Sequence, residues 1–138
     1  MVMPIRPENK ARYPKDWPAI SRRIREREGQ KCKWCLAPNF TLIYRGKGLW
    51  AGSYMLETGD CFNDRTGERI GMARGSEYEG KMVRVVLTVA HLDHCPENCA
   101  DENLAALCQR CHNAYDMPMR RRGIRERAHK ARAIGDLL

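Results

Sequence analysis

The sequence predicts a small α+β domain: a short basic helix, a glycine-rich middle, a β-branched strand and a basic closing helix, tied by two cysteine pairs. Three observations carry the prediction. Ile20 and Ile24 repeat at helical spacing between Asp16 and Gly29. Val83-Arg-Val-Val-Leu-Thr-Val89 is the densest β-branched run in the chain. Cys32-x-x-Cys35 and Cys108-x-x-Cys111 are matched pairs at distant points of the sequence. With 138 residues there is room for one compact core and little for a second.

Residues 1–15 read as an extended basic lead-in, because Pro4, Pro7 and Pro14 restrict the backbone and withhold amide donors. A helix follows over about 17–28. Asp16 can cap it, Pro18 suits its first turn, Arg22, Arg23, Arg25 and Arg27 crowd its outer faces, and Gly29 stops it. Residues 36–82 hold eight of the eleven glycines and show no helical period. They read as irregular loop with a hairpin or two, for instance around Asn63-Asp-Arg-Thr-Gly67. The strand 83–89 comes next, then a polar loop, Leu104, Leu107 and the second cysteine pair, with Pro118 bounding that stretch. A basic helix over about 119–134 closes the chain. The organisation is therefore an N-terminal basic arm and helix (1–31), a central domain (32–116) with an insertion at about 36–82, and a C-terminal basic helix (117–138). Trp17, Trp34 and Trp50 read as packing residues.

A hydrophobic fraction of 43% and a charged fraction of 30% are ordinary for a globular chain and exclude wholesale disorder. No apolar stretch approaches the roughly 20 residues that span a bilayer, so no membrane partner is expected. Met1 to Lys15 lacks the apolar core of a secretory signal, which predicts a cytoplasmic protein with reduced thiols. The net charge of +8 is unevenly placed. Residues 1–31 carry nine Lys/Arg against four Asp/Glu, residues 117–138 seven against two, and residues 32–116 nine against eleven. A near-neutral centre between two basic arms suits a polyanion gripped from both sides.

Two residues between cysteines let one tight turn present both sulfurs to a single ion, at about 2.3 Å for zinc. Two such turns complete a tetrahedron with no open position, which predicts a structural zinc held by Cys32, Cys35, Cys108 and Cys111. Disulfides or unrelated core cysteines fit a reducing compartment less well. A redox role fails on the same grounds, since four thiolates closed around zinc are inert. Cys61, Cys95 and Cys99 are read as buried or free thiols.

The stretch Thr88-Val-Ala-His91-Leu-Asp93-His94, then Asn103-Leu104, then Cys108-Gln-Arg-Cys111-His112-Asn113, resembles the HNH endonuclease family in its four-cysteine zinc-knuckle form. The resemblance covers about Lys31–Cys35 and Val83–Asp116, leaving the insertion and both arms outside it. It implies a ββα-metal (His-Me finger) core, DNA as substrate, and a catalytic divalent ion (Mg2+, Mn2+, Ni2+ or Zn2+) in addition to the structural zinc. His91 would be the general base, Asn103 the loop brace and His112 a ligand of the catalytic ion. Ala90 departs from the family, whose members often carry Asp or His at that place. Asp93 or His94 can supply the missing ligand, or His94 can be the base with Asp93 before it as ligand. The expected catalytic set is thus His91, His94, Asn103 and His112, with Asp93 and His112 toward the ion. Compact phage-type relatives act in DNA packaging or mobile elements, in the cytoplasm of bacterial or phage-infected cells. The competing reading is a zinc-knuckle DNA-binding protein without catalysis, which Ala90 favours.

Overall fold

A computed structural model of the chain describes residues 10–74 and 76–137, with 130–137 given as helical backbone. Most of the extended lead-in expected over 1–15 lies outside the described residues. Within them the chain turns instead: Tyr13 N donates to Lys10 O, and Trp17 N to Pro14 O.

The first helix, α1 (Trp17–Arg27), covers the expected span with Pro18 in its first turn, but Asp16 occupies the N-cap position without a side-chain capping bond. Ile24 is fully buried, while Arg23 and Arg27 reach across to Asp101. After α1 comes a five-stranded antiparallel sheet in the order β4-β3-β2-β1-β5. Its strands are β1 (Leu42–Gly46), β2 (Ser53–Leu56), β3 (Asp60–Asn63), β4 (Arg69–Met72) and β5 (Gly80–Arg84). The irregular loop expected over 36–82 is therefore corrected to an ordered sheet. The strands have only four or five residues. That is too short for period-two alternation to stand out between turn residues.

The glycines that suggested loop serve the tight connections. Gly67 adopts φ +74°, and a Cβ there would lie 2.7 Å from the Cys35 carbonyl oxygen. Gly59, at φ +93°, sits equally close against Ala73 O. The Asn63–Gly67 turn forms where expected: Asn63 Oδ1 accepts from Arg65 N and Thr66 N, and Gly67 N donates to Asn63 O.

The single strand expected over 83–89 is two. β5 ends at Arg84, and β6 (Thr88–His91) begins a second, two-stranded sheet with β7 (Leu104–Leu107). Between them the backbone is bound by loop and side-chain groups instead of a ladder. Phe40 N donates to Val85 O, Leu87 N to Asn39 Oδ1, and Val86 N to Gln109 Oε1. The last helix, α2 (Gln109–Leu137), starts well before the expected residue 119 and contains Pro118. The second cysteine pair starts it. Cys111 N donates to Cys108 Sγ at 3.4 Å, so the knuckle satisfies an amide that a helix start leaves orphaned, and His112 N makes the first intrahelical bond, to Cys108 O at 2.9 Å. Among the described residues no helix is long and apolar enough to cross a membrane.

The main core lies between α1, the cysteine pairs, β6, β7 and one face of the large sheet. That face presents Ile43, Tyr54, Leu56 and Phe62, while Met55 and Cys61 on the other face join Ala73 and Tyr78 in a smaller cluster. β7 is buried along its whole length, and Leu104 at its start is 0% exposed. Leu104→Ala should therefore cost about 2–5 kcal/mol, read as a lower urea midpoint at unchanged slope.

Candidate metal centre and histidine cluster

The four cysteines of the two pairs are buried, and their sulfur atoms all lie within 4.8 Å of one another. Each pair is held by backbone geometry. In the first, Leu36 N donates to Cys32 O, Cys32 N to Ala37 O, and Lys33 N to Ala106 O of β7, which ties the turn to the second sheet. The second is the start of α2. Cys35 Sγ and Cys108 Sγ stand 3.6 Å apart, too far for a disulfide and close enough to share an ion. Four buried soft donors in a closed set fit a tetrahedral thiophilic cation such as zinc. Their proton affinities are uneven. Hydrogen bonds from Cys111, Cys32 and Cys35 pull the Cys108 pKa far below the thiol range, and the Cys108 thiolate pushes those of Cys111 and Cys35 up. A divalent cation among the sulfurs removes that conflict by supplying the opposite charge.

His91, at the end of β6, is 7% exposed. Its ring stacks on Trp17 at 4.8 Å and meets Tyr13 edge-on at 5.5 Å, while its Nε2 lies 3.7 Å from Cys99 Sγ. Burial lowers its pKa below the ordinary value.

Asp93 and Asn103 close the β6–β7 loop on each other. Asn103 Nδ2 donates to Asp93 Oδ1 and to Asn98 O, and Asp93 N donates to Asn103 Oδ1. The Asp93 carboxylate also accepts from Asn98 Nδ2 and Cys95 N, and these bonds hold its pKa down to about 2. Asn103 thus sits where the resemblance puts a loop brace, and Asp93 spends its oxygens on the same brace.

His94 takes φ 58°, a left-handed conformation that costs a non-glycine residue free energy and recurs at functional sites. It stacks on Tyr115 at 5.0 Å, and its Nδ1 lies 3.4 Å from Asp116 Oδ1. On the other side of that carboxylate, His112 Nε2 lies 3.1 Å from Asp116 Oδ2. His112 Nδ1 is 2.5 Å from Thr88 Oγ1 on β6, which sets the plane of the imidazole. Tyr115 OH donates to Leu92 O and so fastens α2 to the loop carrying His94. Burial alone would raise the Asp116 pKa, but the hydrogen bond from His112 and the nearby His112, His94 and Arg120 outweigh it and bring it below the ordinary value.

Of the expected residues, the fold brings His94 and His112 together on Asp116, and Asp93 together with Asn103. His91 is packed instead beneath Trp17. Asp116, Thr88 and Trp17 are the site residues that sequence reasoning did not name for these roles. Asp116 was findable, because it follows His112 at i+4 and the two share a helix face. Placing the helix start after Pro118 hid that relation.

Compared with protein-family models, with curated proteins and with solved structures, the chain matches none.

The buried His91 carries a consequence for stability. Its folded pKa is depressed, so below the ordinary value of about 6.5 the unfolded chain binds more protons than the folded one. Stability is then lost as pH falls from about 6.5 towards the lower folded value. Urea titrations at pH 7.5 and 5.5 are expected to show this loss in the wild type and a smaller one in His91→Phe, which cannot be protonated.

Proposed function

We propose that the chain is a metal-dependent DNA endonuclease or nickase of the HNH type, with a structural zinc in its four-cysteine cluster. The observation that carries the reading is the meeting of His94, Asp116 and His112 on one side of a β-strand pair whose following helix is capped by that cluster. An imidazole and a carboxylate one helical turn apart are a donor set that divalent ions such as Mn2+, Ni2+, Zn2+ or Mg2+ accept. When bound there, such an ion supplies charge neutralisation at the phosphoryl and leaving oxygens.

His112 and Asp116 would hold that ion, with the bond to Thr88 fixing the plane of the His112 ring. His94 takes the proton from the attacking water. This is the register in which Asp93 and His94 are the adjacent pair, and it suits the burial pattern, since a general base must reach solvent and His91 lies under Trp17. Asp93 and Asn103 keep the loop, and with it His94, in place. The basic helices bind phosphates without regard to sequence. Arg23 and Arg27 are engaged with Asp101, Glu28 and Leu104 O, while among the described residues Arg22, Arg121, Arg122, Arg125 and Arg127 are exposed.

A second reading, a zinc-braced DNA-binding protein without catalysis, is favoured by Ala90 before His91 and by the engagement of both Asp93 oxygens.

Incubating the protein with supercoiled plasmid in magnesium, manganese, nickel or EDTA separates the two. The enzyme reading expects metal-dependent nicking or linearisation. Removing a positioned proton acceptor or ligand is worth about a hundredfold or more, so His94→Ala and Asp116→Asn should lose at least that much while still shifting plasmid on a gel. Loss in His91→Ala alone moves the base to His91. Plasmid that is shifted but never cut identifies the binder. Metal analysis tests the zinc separately: about one zinc per chain is expected from four ligands per ion, lost in Cys108→Ser.

A further inference from the structure

The large sheet touches both cysteine turns. Tyr54 of β2 donates its hydroxyl to Cys35 O at 2.6 Å, and Gly67 lies against the same carbonyl. On the second turn, Gln109 Nε2 donates to Arg84 O, and Arg110 pairs with the buried Asp64 beside the β3–β4 turn. Between these anchors, Arg45 of β1 donates from Nη2 to Cys108 Sγ at 3.5 Å. Arg45 stands directly across from Tyr54 in the β1–β2 register, and its guanidinium lies 5.7 Å from the Tyr54 ring centroid. Its other terminal nitrogen, Nη1, is buried and has no hydrogen-bond partner among the described residues.

A guanidinium with an orphaned buried nitrogen is costly unless an opposite charge faces it. Four thiolates around one divalent cation carry a net charge of about −2, and Arg45 is the cation aimed into that cluster. We propose that Arg45 is a positioning residue of the metal centre: its N–H···S bond holds the Cys108 sulfur in place and its charge offsets that of the four sulfurs around the ion, so that the sheet inserted between the cysteine pairs sets how tightly the ion is held. The inference rests on the reading of the four cysteines as a metal site. It gives the insertion a role that does not depend on DNA or on catalysis.

The test uses the full chain loaded with cobalt(II), whose sulfur-to-metal charge-transfer band reports on the ligating sulfurs. Groups that hydrogen-bond to a metal's ligands typically contribute about 10–100-fold to its affinity. Arg45→Met should therefore release cobalt to a chelator at fixed pH at least tenfold faster than wild type, and its band should move to lower energy as the donor to sulfur is lost. Arg45→Lys, the milder change, keeps the charge and should fall between the two. Tyr54→Phe removes a bond to a carbonyl and none to sulfur, so its band should stay in place even where its stability drops. Wild-type release rates and an unshifted band in both Arg45 variants overturn the inference alone. A wild-type chain that takes up no cobalt overturns the metal reading and the inference together.

Discussion

Closure of Cys32 and Cys35 onto Cys108 and Cys111 is the constraint on which the remaining structure hangs. One pair follows α1 and the other begins α2, so their contact brings both basic helices against β6 and β7. It also places β7 in the middle, buried along its length, because Lys33 N bonds to Ala106 O while the strand runs straight into Cys108. Everything between the pairs must leave and return to one point. The large sheet does this as three consecutive hairpins from β1 to β4, after which the chain crosses to the other edge and β5 pairs with β1.

The same closure positions the histidine cluster. Cys108 accepts the amides that begin α2, so the orientation of the first turn of that helix is set by the sulfur cluster. His112 stands next to Cys111, and Asp116 stands one turn further along the same face. Their partner His94 comes from the β6–β7 loop, braced by Asp93 and Asn103 and fastened to α2 through Tyr115. A side-chain group assembled from a strand, a loop and a helix is rigid only if those elements are locked together. Here the lock and the candidate chemistry share a helix end.

α1 contributes more than charge. Trp17 and Tyr13 cover His91, and Arg12 pairs with Glu97 of the β6–β7 loop, so the N-terminal segment is packed against the loop that carries the histidines. Ile24 fills the core beneath, and Arg27 reaches Leu104 O at the β7 edge. Part of a basic surface that composition alone would assign to a polyanion is thereby paired, at the surface, with carboxylates and carbonyls of the same chain.

By itself the sequence determined what local chemistry can specify. α1 is legible from Asp16, Pro18, the Ile20–Ile24 spacing and Gly29, the Asn63–Gly67 turn from its residues, and the cysteine cluster from two matched x-x spacings, because each is decided within a few residues. The expectation that Asn103 braces the loop came from the family resemblance alone; its bonds to Asp93 and Asn98 O are a tertiary fact. What tertiary structure decided was long-range. The break between β5 and β6 depends on Asn39 and Gln109, which are distant from it in sequence. The start of α2 ahead of Pro118 depends on the second cysteine pair acting as its cap. Which histidine meets Asp116 and which is packed under Trp17 depends on where α1 docks and how the β6–β7 loop bends at His94. A residue type states what a side chain can do, but its neighbours and its access to water are set only when separate elements pack together.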